Sequence, residues 1–360
     1  MQLIKDFLST HSIQTKTLAI GVSGGADSLA LALLIKEELP EYHLVALTVD
    51  HGLRPTSRKE AEYVAEVMAQ FNIEHHILTW VGDKPVTGIE EQARIARYDL
   101  LCSWCKAHQI EYLVIAHHLF DQAETFLMRL ERGSGLFGLS AIKDMSERDG
   151  IKILRPLLNI HPDRLKEYLK EKNIAWVEDE SNQCEDFLRV KMRKFLPILE
   201  EKTGISAERL CLAAENLQRT RAFIEDVVQN TINEKVHLWG SSGASFDYVA
   251  FMTWHDELKF YILSKLITDI SGNVYMPEAN QLRTVIKDLM SDDFTGMTLG
   301  GVFILKQDLR LWFIKENRNI EMNYQEDEWL AYEKNVPEVR GIKIPAKLKQ
   351  ALIYEKKHEK

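Results

Sequence analysis

The sequence predicts an α/β protein: a parallel sheet with helices on both faces, then a helical linker and a small α+β domain. Three observations carry this. Strand-like and helical patterns alternate through the first half, which is the signature of parallel strands joined by helical crossovers. The first strand pattern runs straight into a diglycine turn and a helix start. Beyond residue 186 the strand signals stop, helical periodicity takes over, and short strands return only after Gly240.

Apolar, β-rich runs occupy residues 18–22, 43–49, 76–80 and 112–116, with helical patterns at 57–71, 89–108 and 121–130. Pro162 is suited to a first helical position, because it lacks an N–H that would go unused there; the helix it opens runs to Lys172. The chain then reads as mostly helical from Asp186 to Asn230. Gly240-Ser-Ser-Gly243 is a break and a candidate domain boundary. Helices follow at 254–270 and 278–290. A hairpin pattern comes next, 297–299 and 302–306 about Gly300-Gly301, and a last strand at 309–314. The domains expected are 1–215, a linker at 216–240, the small domain at 241–318, and a C-terminal extension at 319–360 that stands as a reduced third domain. No repeat or low-complexity segment is visible.

At 360 residues and 45% hydrophobic content the composition is that of a globular protein. No apolar run reaches the roughly 20 residues that span a bilayer, and the N-terminus lacks a signal peptide's apolar core, so a cytoplasmic location is expected. Four cysteines are too few for a disulfide scaffold. The net charge of −9 weighs against nucleic acid as a partner, yet binding depends on local patches. Arg189, Lys191, Arg193 and Lys194 form one such patch; residues 340–360, with seven Lys or Arg against two Glu, form another. Either also fits a solvated helix face.

The turn Ser23-Gly24-Gly25-Ala26-Asp27-Ser28 is the most informative segment. Consecutive amides in a strand–turn–helix bend make an anion nest, and the helix dipole favours negative charge there. Gly24 and Gly25 let backbone approach phosphate closely, and Ser23, Asp27 and Ser28 can cap or add polar contacts. It is no Walker A loop, since no Gly-Lys-Ser/Thr follows. The alternative is an ordinary strand-to-helix turn. Ser23, Asp50 and His117 each follow a strand, so they are expected at one sheet edge.

Four further patterns follow in order: Val49-Asp-His-Gly-Leu-Arg54; Gly88-Ile-Glu-Glu-Gln-Ala-Arg-Ile-Ala-Arg-Tyr98; Ala116-His-His-Leu-Phe-Asp-Gln-Ala-Glu-Thr125 continuing to Arg132-Gly-Ser-Gly-Leu-Phe-Gly-Leu-Ser140; and Arg155-Pro-Leu-Leu158 with Glu178-Asp-Glu-Ser-Asn182. With the diglycine turn these resemble the tRNA(Ile)-lysidine synthetase family of PP-loop ATPases, closely over residues 15–200 and more weakly over 283–314. The resemblance implies a five-stranded parallel sheet of Rossmann-like type and an enzyme that binds ATP and Mg²⁺. It implies attack by the wobble cytidine of a CAU-anticodon isoleucine tRNA on the α-phosphate, and then displacement of AMP by the ε-amine of free lysine. A homodimer is implied too. Gly24 and Gly25 would then hold the leaving pyrophosphate. Arg94, Arg97 and Arg155 are candidates to stabilise charge at the α-phosphate. Asp27 and Asp121 are the candidate metal carboxylates. Asp50, His117, His118 and Glu124 are candidates to meet the amine. The basic patch of Arg189, Lys191, Arg193 and Lys194 is expected to contact tRNA phosphates.

Each residue has a plainer alternative. Asp50 fits a strand end, His117 and His118 a packed turn, and Arg94 with Arg97, like Arg129 with Arg132, a surface pair three apart. The chain also departs from the family pattern: Phe120 stands where a second acidic residue is usual, and Val190 where Asn is usual. Competing functions are a tRNA 2-thiolation enzyme, suggested by Cys102-Ser-Trp-Cys105 but lacking a second cysteine pair, an amidotransferase-type ligase, and a non-catalytic nucleotide-binding regulator.

Overall fold

The structure is a computed structural model that describes residues 2–82, 84, 87–178, 188–273, 276–291, 293–316, 326–336, 339 and 341–358. Most of Glu178-Asp-Glu-Ser-Asn182, and Cys184, lie outside them. The chain forms two compact units, Met1–Arg221 and Ala222–Lys360.

The first unit begins with α1 (Leu3–Thr10), β1 (Thr17–Gly21), α2 (Ala26–Glu38), β2 (His43–Asp50), α3 (Ser57–Gln70) and β3 (Glu74–Thr79). It continues through α4 (Ile89–Ala107), β4 (Tyr112–Val114), α5 (Leu119–Glu131), the short α6 (Leu136–Leu139), β5 (Met145–Arg148) and β6 (Ile151–Leu154). Then come α7 (Pro162–Glu171), α8 (Leu188–Thr203) and α9 (Ala207–Lys235), which runs past the unit's last residue. The sheet order is β3-β2-β1-β4-β6-β5. The five strands from β3 to β6 are parallel, as expected, and β5 adds an antiparallel sixth at the edge. The β5–β6 turn is Asp149-Gly150, both at positive φ (54° and 82°), the geometry of a two-residue hairpin whose twist matches its strands.

Strand alternation divides the core. Leu18 and Ile20 of β1 face the cluster with α2, α3 and α7, whereas Ala19 faces the one with α4. Helix α2 is apolar on every side and buried throughout, from Leu29 to Ile35 apart from Leu34, so burial and not amphipathicity places it. Helices α5, α8 and α9 share a third cluster around Phe126, Leu196 and Leu210.

The second unit holds β7 (Val236–Trp239), β8 (Gly243–Asp247), α10 (Tyr248–Thr253), α11 (Asp256–Ser271), α12 (Ala279–Leu289), β9 (Met297–Leu299), β10 (Val302–Gln307), β11 (Arg310–Lys315), α13 (Glu326–Asn335) and α14 (Ala346–His358). Its sheet, β7-β8-β11-β10-β9, is antiparallel throughout. Leu311 and Phe313 pack with α11 and α12 on one face; Trp312 and Ile314 pack with Trp329 and Leu348 on the other. Two expectations differ from this. The Gly240–Gly243 break is the turn of the β7–β8 hairpin inside the unit. The residues after 319 that are described join the unit's second core, because one face of the sheet is apolar and needs their cover.

Gly243 sits where β8 meets β11: a Cβ there would come 2.4 Å from the Phe313 carbonyl oxygen. Backbone cannot yield as a side-chain tip does. The Gly243→Ala variant is expected to lose about 1–3 kcal/mol, the usual cost of overpacking, read as a lower urea midpoint by tryptophan fluorescence.

Candidate active site

A cavity of about 300 Å³ opens at the carboxyl ends of β1, β2 and β4. Here the strand order turns back on itself, with β2 and β3 on one side of β1 and β4 and β6 on the other, and such switch points leave a crevice for ligands. Its walls include Ser23, Gly25, Asp27, Ser28, Thr48, His51, Arg97, Tyr98 and His117.

The diglycine turn forms its floor. The Val22 N–H donates to the Leu47 carbonyl at 2.9 Å, so β2 fixes the end of β1. Gly24 has φ +86°, and a Cβ on it would approach Val64 to 3.1 Å. The Val177 N–H donates to the Gly24 carbonyl at 3.0 Å, pinning the turn from outside. Ser28 Oγ donates to the Gly25 carbonyl at 3.0 Å and accepts from the Ser23 N–H at 3.1 Å. Gly25 is the N-cap of α2 and supplies no side chain, so the amides that begin α2 are left for another acceptor. Ala26 starts that helix and is buried.

Asp27 projects from its first turn. One carboxylate oxygen lies 3.5 Å from His118 Nε2; the other is buried without a hydrogen-bond partner. His118 is the N-cap of α5. Its Nδ1 accepts from the Phe120 N–H at 3.2 Å, and its own N–H donates to Asp121 Oδ2 at 3.0 Å, which makes a reciprocal capping box. Burial opposes charge on His118, but Asp27, Asp121 and Glu124 outweigh it and raise its pKa. Burial likewise opposes charge on Asp121, and His118, His117 and Arg189 outweigh it, holding that carboxyl below its ordinary value. Asp121 is thus committed to the helix cap and does not line the cavity. Phe120 packs edge-on against His161 at 4.8 Å.

Glu124 is fully buried and meets two of the four basic residues expected at the tRNA. Arg193 Nε donates to Glu124 Oε1 at 2.6 Å, and Arg189 Nε lies 3.3 Å from Oε2. These two arginines turn inward, while Lys191 and Lys194 are exposed on α8. Helical spacing groups Arg189 with Arg193 and Lys191 with Lys194, but does not say which pair turns inward. Burial lowers the affinity of Arg193 for its proton, but Glu124, then Asp121 and Asp27, outweigh it and raise the pKa.

The remaining candidates divide between the cavity and its supports. His117 lines the cavity, and its Nδ1 accepts from Arg155 Nε at 3.2 Å. Its proton therefore sits on Nε2. Burial, with Arg155, Arg94 and Arg97 nearby, pushes its pKa down to about 3 against the pull of Asp121. Arg155 is buried, donates also to the Lys143 carbonyl at 2.9 Å and Ser146 Oγ at 3.0 Å, and stands behind the cavity. Asp50 accepts from the Gly52 N–H at 3.0 Å and stabilises its turn; the residue at the wall is its neighbour His51, which the sequence reading did not single out. Arg97 lines the cavity and Arg94 is exposed beside it. Arg129 donates to the carbonyls of Gly138 at 2.7 Å and Ala141 at 2.9 Å, so it ties down the 132–140 run instead of forming a surface pair.

Cys102 and Cys105 lie on the buried face of α4, and burial pushes their thiols up to about 11 and about 12. Neither is a reactive thiolate near neutrality. Among the described residues, no group of three or more His, Cys, Asp or Glu is arranged to hold a metal ion.

A PP-loop domain family matches residues 2–199. The chain is 34% identical over 326 residues to the tRNA(Ile)-lysidine synthase of Wolbachia sp. subsp. Brugia malayi, covering 89% of this chain and 75% of that protein. It is 35% identical over 308 residues to that of Ruegeria pomeroyi, covering 85% and 73%. Among solved structures it is similar to the U34-tRNA thiolase NcsA from Methanococcus maripaludis with its 4Fe–4S cluster. There the TM-score is 0.52 at 20% identity, over 60% of this chain and 77% of that one, a likeness of fold.

Two outcomes are expected. A Cβ at Gly24 strains a left-handed backbone by about 1–2 kcal/mol and crowds Val64. Gly24→Ala should therefore weaken binding of a fluorescent ATP analogue by roughly tenfold or more, measured by titration. His117 takes up its proton less readily folded than unfolded. Between the unfolded value of 6.5 and the folded value of about 3 the unfolded chain carries the extra proton, so stability falls as pH drops through that window. His117→Asn should flatten this acid limb in urea midpoints measured across it.

Proposed function

The chain belongs to the tRNA(Ile)-lysidine synthase family of PP-loop proteins, and from that premise we propose how its cavity carries out the reaction. It is a ligase that uses ATP to form lysidine on isoleucine tRNA. The substrates are the wobble cytidine of the CAU anticodon and free L-lysine. The observation that carries the reading is the open-amide turn at the strand switch point, in one cavity with Arg97 and His117.

The triphosphate tail lies against the amides of Gly24, Gly25 and the start of α2. The cytidine O2 bonds to the α-phosphorus as the bond to the bridging oxygen breaks and pyrophosphate leaves. The neutral lysine ε-amine then bonds to C2 of the adenylated base as the C2–O bond breaks, AMP departs with the oxygen, and the proton shed by the amine passes to solvent at the open cavity. Arg97 faces the phosphoryl charge from the wall. His117 has its Nδ1 occupied and its pKa far below neutrality, so it acts as an Nε2–H donor to a developing oxyanion and not as a base. Arg155 positions it. Asp121 and Glu124 act through His118 and the two arginines they hold.

Magnesium fits one place. Asp27 carries a buried, unpartnered carboxylate oxygen beside the phosphate turn, and Mg²⁺ typically takes one or two carboxylates together with phosphate oxygens and water. Asp27 would hold it, with Asp121 behind His118, and the ion would supply neutralisation of the pyrophosphate charge. The exposed Lys191 and Lys194 contact tRNA phosphates. No helix among the described residues is long and apolar enough to cross a membrane. Reaction in the cytoplasm, by a homodimer, completes the reading.

The test supplies ATP, Mg²⁺, labelled lysine and CAU-anticodon isoleucine tRNA. Label is expected in the tRNA, with AMP and pyrophosphate released, and Asp27→Asn should lower the rate by roughly 100-fold, the scale of losing one preorganised electrostatic group. Nucleotide binding without incorporation would mark a regulator instead, and loss of activity in Cys102→Ser/Cys105→Ser would favour thiolation.

A further inference from the structure

Arg97 has an unusual environment for a guanidinium in a cavity wall. Burial is the largest influence on it and lowers its pKa, and the residue is half-buried. Such a charge is ordinarily answered by a carboxylate. Among the described residues, however, Arg97 has no hydrogen bond and no ion pair; what it does have is the ring of Tyr98, 5.5 Å from its Cζ. Arg94, one turn earlier on α4, places its Cζ 5.2 Å from the same ring, and Arg148, on β5, lies at 5.5 Å. Tyr98 itself is 4% exposed and lines the cavity.

We propose that Tyr98 is the positioning residue for the phosphoryl-transfer step: its ring holds Arg97, with Arg94, at the cavity wall while leaving the guanidinium charge unneutralised. The physical distinction is between two ways of holding a cation. A carboxylate at ion-pair distance fixes a guanidinium and cancels most of its charge, so it offers little to a phosphate. An aromatic face fixes it through the ring quadrupole, at about 0.5–2 kcal/mol, and leaves the net charge whole. Asp121 acts on Arg97 from a distance, without an ion pair, so a phosphate oxygen is the first full negative charge to touch it. Glu124 with Arg189 and Arg193 shows the opposite arrangement in the same unit. The ring also draws together three cations that repel one another. Arg148 is relieved by Asp99 at 2.6 Å, which leaves the two α4 arginines as the ones carrying charge toward the cavity.

This rests on the lysidine-forming reading, and the experiment keeps the two apart. Tyr98→Phe is compared with a graded series carrying 4-fluoro-, 3,5-difluoro- and 3,4,5-trifluorophenylalanine at position 98. These rings are nearly equal in size but progressively weaker in quadrupole. The readouts are single-turnover AMP transfer to tRNA and the thermal midpoint. With Tyr98→Phe as the reference ring, the transfer rate should fall steadily, by roughly 3- to 30-fold across the fluorinated series, the kinetic equivalent of losing the cation–π energy. The midpoint should stay level. A structural role alone would leave the rate flat, since packing is unchanged, and a flat rate in an active parent overturns the proposal. A parent that transfers no AMP to tRNA overturns the lysidine reading instead.

Discussion

Two helix starts in the first unit are joined through one imidazole. His118 caps α5 with its own ring and accepts the reach of Asp121 in return, while its Nε2 faces Asp27 on the first turn of α2. The phosphate turn and the fourth strand are therefore not independent. The direction of Asp27 is set by a residue 91 positions away, and that residue keeps its place by satisfying the amides of another helix. The charge balance here is local: Asp27 and Asp121 share one base, and one oxygen of Asp27 is left over. On the proposed reading, that surplus is the oxygen that would take the metal ion.

The outer layer follows the same logic with opposite outcome. Glu124 is deep enough that leaving it alone would be costly, and Arg193 and Arg189 come in from α8 to answer it. Breaking a buried pair by removing one member costs far more than the pair itself contributes, so α8 is held to α5 by charge as well as by Leu196 and its neighbours. Cations on the sequence thus separate by what meets them. Some are answered by acids, some by carbonyls, as with Arg129 and Arg155, and Arg97, among the described residues, meets only an aromatic ring, while others such as Lys191 stand exposed.

Much of this was legible in the sequence, and what was not has physical causes. The strand–diglycine–helix bend announces itself because few other residues can make it. The alternation of elements gave the parallel sheet, since a parallel pair needs a crossover. Neither strand of the β5–β6 hairpin was located although Asp149-Gly150 carries its turn signal, because four-residue strands have too short a pattern to register. Asp50, Arg155, Asp121 and Glu124 were expected at the reacting groups and are buried, and a sequence does not say whether a buried polar group faces a ligand or props up one that does. His51 was passed over for the converse reason. The C-terminal helices looked weak in pattern, yet Trp329, Leu348, Leu352 and Ile353 from them share one buried cluster with Trp312 and Ile314.

The tryptophan face of the second sheet has a consequence for how the protein is made. All five of its strands leave the ribosome before α14 does, and 30 residues separate the end of β11 from the start of that helix. At about 5–20 residues per second, the stacked indoles of Trp239 and Trp312 stand uncovered for about 2–6 s. During synthesis this half of the molecule is a natural client for a chaperone, and a message cut short within that stretch would yield a polypeptide with a permanently sticky surface.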